Sequence, residues 1–218
     1  MTNKNITIII LIALIMGTLI YAQSIDINLP DNNQGYAPKQ PINFSHRLHA
    51  GDLQLDCLYC HTGADKSRHA GVPPASVCMN CHNFVTAPWD MVQLEEENAK
   101  KENRDLQIPV SDELAKLYAA VGFNTEKMKY DESLTKKPIE WNRVHNIPAY
   151  VYFDHRRHVN AEVSCQQCHG AVETMETLSQ ESDLSMGWCV NCHRDVNSGK
   201  LSDLVGKNAS TNCAGCHY

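Results

Sequence analysis

The chain has 218 residues, room for one large domain or two small ones. Hydrophobic residues make up 43% but aromatics only 7%, too little bulk for an ordinary side-chain core of this length, so something else must fill part of the interior. A net charge of −6 excludes nucleic acid as the partner.

Taken in chain order, residues 6–22, "ITIIILIALIMGTLIYA", form an apolar run preceded by Lys4. The run suits a secretory signal, with Ala22 before Gln23 as a cleavage point. It also reaches the lower edge of a membrane-spanning length, so residues 1–22 read as a signal peptide or an N-terminal membrane anchor. Either role puts the rest of the chain outside the cytoplasm.

Residues 23–87 make the first of two similar units. It contains Phe44-x-His46-x-x-His49, then Cys57-x-x-Cys60-His61, then "VCMNCH" with Cys78, Cys81 and His82. Residues 88–152 are a cysteine-free insert. Its "WDMVQLEEENAKKENRD" predicts a solvent-exposed helix over 89–105. Ser111 and Asp112 cap a second helix that stops at Gly122. Met91, Leu94 and Leu106 are expected to pack against the body. No stretch alternates long enough to predict a sheet, so the fold class is mainly α with extensive loops.

Residues 153–218 repeat the first pattern: Phe153-x-His155-x-x-His158, then Cys165-x-x-Cys168-His169, then "WCVNCH" with Cys189, Cys192 and His193. A further motif, Cys213-x-x-Cys216-His217, follows. The spacings differ between units by only one to three residues, which reads as an internal duplication with one motif appended.

All ten cysteines fall in these five Cys-x-x-Cys-His motifs. This is the attachment sequence for c-type haem, in which two thiols add to the vinyl groups and the next histidine ligates the iron. Paired Cys-x-x-Cys units also build zinc sites. But five is an odd number, and zinc does not need a histidine after every second cysteine. A thioredoxin-like redox pair would need one motif, not five. The reading is therefore five c-type haems with iron, tethered by Cys57, Cys60, Cys78, Cys81, Cys165, Cys168, Cys189, Cys192, Cys213 and Cys216. The proximal ligands are His61, His82, His169, His193 and His217.

Six histidines are left over. Each unit has two haem motifs and two spare histidines at i and i+3, which share a helical face. His46, His49, His155 and His158 are accordingly the expected distal ligands of the first four irons. For the fifth, His145 in "WNRVHNIPAY" comes first, with His69 and Met186 as alternatives. Irons filled on both faces carry electrons and do little bond chemistry, so a relay is expected and no catalytic residue is assigned. Five buried macrocycles would also supply the missing core.

"FSHRLH", "GVPPASVCMNCH", "WNRVHNIPAYVYFDHRRH" and "MGWCVNCH" together resemble the class III multihaem cytochromes c. More narrowly, they resemble the pentahaem subunit of alternative complex III, over roughly residues 40–217. The resemblance implies an electron-transfer subunit on the periplasmic side of the bacterial cytoplasmic membrane, not an enzyme by itself. Its partners would be quinol-oxidising and iron–sulfur subunits of a respiratory complex, with a monohaem cytochrome c or terminal oxidase as acceptor. Similar blocks occur in haem subunits of periplasmic molybdenum-type reductases of sulfur compounds. A soluble multihaem carrier is the other alternative.

Overall fold

The structure, a computed structural model, describes residues 3–23 and 32–217. Residues 24–31, at the start of the predicted first unit, lie outside the described residues. The described chain is mainly helical, with long loops and one very small sheet.

Helix α1 spans Asn3–Gln23 and holds the apolar run, its described Ile and Leu side chains exposed. Among the described residues no helix is long and apolar enough to cross a membrane. The body begins with an extended segment and a π-helical stretch, Arg47–Asp52, that carries His49. Helix α2 (Cys57–Cys60) follows, capped by Asp56, whose carboxylate accepts from the Leu58 N–H at 2.7 Å. Helix α3 (Ala75–His82) carries the whole second motif.

The insert forms the two expected helices. Helix α4 spans Trp89–Glu102 and ends at Asn103 in the left-handed region. Helix α5 spans Asp112–Val121, with Ser111 accepting from the Leu114 N–H and Gly122 at φ 69° closing it. The expectation of no sheet is corrected here in a small way. Strands β1 (Phe123–Asn124) and β2 (Lys129–Tyr130) pair as a short hairpin directly after Gly122. Two residues a side are too few to leave an alternating signature in the sequence.

Met91, Leu94 and Leu106 also differ from expectation: they are exposed, Leu94 and Leu106 by 57% and 61%. Only the small Ala99 of α4 is buried. The turn after α4 is held by polar contacts instead. Arg104 donates to both carboxylate oxygens of Glu95, at 2.6 and 2.9 Å, and the Gln107 N–H donates to Glu95 as well.

In the last third, helices α6 (His155–Val159), α7 (Gln166–His169) and α8 (Met186–Asn197) carry histidines and motifs. Single 3₁₀ turns cover Val172–Thr174, Ser202–Leu204 and Cys213–Gly215. Ser185 caps α8 through the Trp188 N–H.

The side-chain core is small. Met79 of α3, Leu117 and Tyr118 of α5 and Phe123 of β1 form a buried cluster, with Ile42, Leu114, Val121 and Ile139 packed around it. The insert is thus a brace for the second motif.

The two histidine-bearing stretches are interlocked. The Arg47 N–H donates to Met175 O, in the loop after the third motif. Reciprocally, the His155 and Arg156 N–H groups donate to Arg68 O and Ser67 O, in the loop after the first motif. Gly51 sits so close to this junction that a Cβ there would fall 2.2 Å from Glu173 O.

Candidate haem-binding centres

The two stretches "FSHRLH" and "FDHRRH" share one local geometry. Phe44 stacks on His49 (4.4 Å, 23°) and meets His46 edge-on (4.9 Å, 87°). Phe153 stacks on His158 (4.6 Å, 26°) and meets His155 edge-on (4.8 Å, 86°). Sequence reasoning used the phenylalanines only to align the repeats. Their work is to fix the planes of both histidine rings, and the matching offset of two and five residues was the available signal. Three residues before the first cysteine of each unit, the backbone turns left-handed, at Gln54 (φ 54°) and Glu162 (φ 66°).

One residue differs between the units: eight positions separate His49 from Cys57, but seven separate His158 from Cys165. The extra residue is absorbed where the first stretch is π-helical and the second α-helical. A π-turn is how a helix accommodates one inserted residue, and such turns cluster at functional sites.

Spare and proximal histidines face each other in register. The ring centres of His49 and His82 lie 6.2 Å apart, those of His155 and His169 6.2 Å, and those of His158 and His193 6.1 Å. A metal–imidazole bond of about 2 Å on each face, plus roughly 1 Å from nitrogen to ring centre, would put trans imidazoles about 6 Å apart. The residues present therefore fit an iron held between two imidazoles. Within each unit the second spare histidine meets the second motif. His155, the first spare histidine of its unit, meets the first motif of that unit. His46 is the counterpart of His155, and among charges that of His61 acts on it most. Burial above all, and then His61, pushes the His46 imidazole down to about 4. Zinc would need about four converging donors. Among the described residues no three His, Cys, Asp or Glu side chains converge in that way.

Hydrogen bonds fix which ring nitrogen remains free. Nδ1 of six histidines lies against a backbone carbonyl oxygen: His49 on Ser45 (2.8 Å), His61 on Gly71 (2.6 Å), His82 on Val85 (2.8 Å), His155 on Arg68 (3.0 Å), His158 on Asp154 (2.9 Å) and His193 on Ser210 (2.5 Å). A carbonyl can only accept, so each Nδ1 carries the proton and each Nε2 keeps its lone pair for a metal. Among the described residues, His46 Nδ1 is buried without a partner.

His145, expected at the fifth motif, stands instead beside the third. Its Nε2 is 3.0 Å from His169 Nδ1, with the rings edge-on at 4.4 Å. Burial first, then the charges of His145 and His155, pushes His169 down to about 3. His69 is exposed, and its charge acts on His155. The fifth motif docks on the segment before Phe153: Tyr152 N–H donates to Cys216 O, Val151 bridges His217, and the Tyr150 ring stacks on His217 at 5.8 Å. Met186 is exposed on the first turn of α8, three residues before Cys189.

The thiols neighbour one another across motif boundaries. Cys57 is pushed up by burial first and then by the neighbouring Cys165. Burial, with a contribution from Cys60, pushes Cys78 up. Burial, then Cys192 and Cys189, pushes Cys168 up to about 11, and burial, then Cys216, raises Cys189. Thiols raise one another from motif to motif in the order second, first, third, fourth, fifth. Thiols held this far toward the protonated form are poor free nucleophiles.

Residues 151–218 match the family model of cytochrome c7 and related cytochromes c. The multihaem cytochrome c subunit of a menaquinone reductase from Nitratidesulfovibrio vulgaris is 25% identical over 160 residues, 72% of this chain. The chain spans about half the length, 53%, of that relative. Over these stretches the chain is similar to multihaem cytochromes c.

Proposed function

We propose that the chain is an electron-relay subunit of a membrane-bound respiratory quinol:acceptor oxidoreductase, holding five c-type haems. The observation that carries this is the register of histidine pairs, His49/His82, His155/His169 and His158/His193, at trans-imidazole separation. Each cysteine pair would tether one haem, and each pair of histidines would fill both axial positions. Bound haem supplies one-electron exchange between ferric and ferrous iron. The residues of the chain supply the rest. Nδ1–H donation to backbone carbonyls orients the rings, and the phenylalanines lock their planes. Where two imidazoles pair, they would leave no iron position for a substrate, which favours a relay over a reductase of nitrite or a sulfur oxyanion.

For the fifth iron, the placement of His145 beside the third motif, with His69 acting on His155, speaks for Met186. It precedes Cys189 by three residues on one helix, and Cys189 neighbours Cys216 of the fifth motif. A methionine ligand would raise that centre above bis-histidine neighbours. The thiol order supports a path running from the second motif through the first, third and fourth to the fifth.

A quinone-linked partner in the membrane rests on the relative's name and on the resemblance to the alternative complex III subunit. Residues 1–22 would deliver the body to the periplasmic face, as a leader or as an anchor. Partners would include iron–sulfur and quinol-binding subunits, and a monohaem cytochrome or oxidase as acceptor.

Denaturing mass spectrometry of the matured chain should show a gain of five haems, with low-spin ferric signals by electron paramagnetic resonance. Solubilised membranes should yield the chain together with quinol-binding and iron–sulfur subunits. Bare polypeptide, or polypeptide with zinc, would sink the haem reading. A haem-loaded chain recovered free of any membrane partner would leave the relay standing but replace the complex with a soluble carrier.

A further inference from the structure

Six of the paired or proximal histidines give their Nδ1 proton to a peptide oxygen; His169 does not. Its Nδ1 meets a side chain, Nε2 of His145, at 3.0 Å. We propose, resting on the haem reading above, that His145 is a positioning residue that accepts a hydrogen bond from the iron-ligating His169 and lowers the reduction potential of the third haem.

The tautomer follows from the chemistry. With His169 Nε2 committed to iron, the ring proton sits on Nδ1 and can only be donated, so His145 Nε2 is the acceptor. An imidazole nitrogen is a more basic acceptor than a peptide oxygen. Stronger acceptance leaves His169 with more imidazolate character, which makes it a better donor to iron and favours the ferric state. The third motif lies in the middle of the thiol order, so this sets the central step of the path.

His145 is held as such a partner would need to be. Val144 O accepts from Asn33 Nδ2 (3.0 Å), His145 O accepts from Arg143 Nε (2.8 Å), and the Asn146 N–H donates to Gln180 Oε1 (2.9 Å). Gln180 is fully buried, and its Nε2 donates onward to Ser182 O at 2.9 Å. Both neighbours of His145 and its own carbonyl are thus tied down. The two rings meet edge-on, at 81°, which suits a ring N–H pointing at a ring nitrogen.

The test uses the full, haem-loaded chain with His145→Phe, which keeps a flat ring and removes the acceptor. A stepwise redox titration in the visible haem bands is run beside electron paramagnetic resonance. Five low-spin haems should remain, and one midpoint alone should rise. The expected shift is about tenfold in that haem's reduced-to-oxidised ratio, about 59 mV for a one-electron couple. His145→Gln offers an amide oxygen to the same proton, like the six carbonyl-bonded rings, and should show a smaller rise. Should His145→Phe fail to mature, His145→Gln carries the test by its own single upward shift. A new high-spin ferric signal in either variant would make His145 an iron ligand and overturn the proposal. Unmoved midpoints would overturn it too. Failure of the haem reading is distinguishable, because it would be seen in the unaltered chain as missing haems.

Discussion

In the first unit, the second motif leans on peptide. Met79 of α3 is only 3% exposed, in one cluster with Leu117, Tyr118 and Phe123, and the Tyr118 hydroxyl donates to His82 O at 2.6 Å. In the second unit the matching helix, α8, buries only Val196. Its histidine, His193, reaches instead to Ser210 O in the tail, and Asn197 pairs with Ala209 in both directions. The tail that carries the fifth motif thus does for the fourth what the cysteine-free insert does for the second. The same histidine geometry rests on a side-chain core in one unit and on side-chain-to-backbone hydrogen bonds in the other. Peptide packing is concentrated at the second-motif end of the path, and the rest must depend on what its thiols hold.

The largest effect should come from removing haem attachment altogether. Protein made without it should lose most helical circular dichroism, because sparse aromatics and a small cluster cannot offset the chain entropy of so many ordered residues. Residual amide protection should survive only over 75–123, around the Met79–Leu117 cluster, and vanish over 153–217. A native-like spectrum, or equal protection in both units, would break the comparison.

Next in size is Leu117→Ala. Truncating this buried side chain (4% exposed) should cost about 2–5 kcal/mol in the loaded protein, read by denaturant melts. The loss should loosen the second motif first. Val196→Ala on α8 deletes less buried bulk and should cost less; an equal cost would mean that the second unit has a peptide core after all. Gly51→Ala acts at the junction. Its new Cβ would fall 2.2 Å from Glu173 O, a backbone atom, so the π-helical stretch must move away. Overpacking of this kind costs about 1–3 kcal/mol. The thermal midpoint should fall with the haem count unchanged, and an unshifted midpoint would show that the junction yields freely.

Much of this was legible in the sequence. The second insert helix begins and ends where Ser111 and Gly122 predict, and the first stops at Asn103, two residues short of the polar run's end, because caps and left-handed terminators are local signals. The number of spare histidines, two for each two motifs, was legible, since residue identity survives any packing. Which histidine meets which motif was not, because that depends on contacts between segments more than a hundred residues apart, such as Arg47 with Met175. His145 illustrates the limit. Its motif singled it out, but nothing local says that Asn33 and Gln180 would hold it against His169. The hairpin at Phe123 escaped for the opposite reason, being too short to carry a period. Met91, Leu94 and Leu106 escaped because an exposed, polar-clamped helix and a packed one look alike when only their apolar residues are counted.

The smallest expected effect isolates the insert's outer edge from the haem-bearing body. Hydrogen bonds from Arg104 first, and then from the Gln107 N–H, pull the Glu95 carboxyl down to about 2. The folded value lies below the unfolded one, so the clamp's contribution is fully present above the ordinary carboxylate range, near 4.3. It is lost as the pH falls through about 2. Amide exchange at 103–107 should therefore accelerate on acidification between those limits. In Glu95→Gln, the turn should already be loosened at neutral pH and show little further change. Because only Ala99 of α4 is buried, the visible haem bands should not follow this transition. Bands that shifted in step with the turn would mean that α4 transmits to the second motif. The insert would then be more than a brace on its inner face.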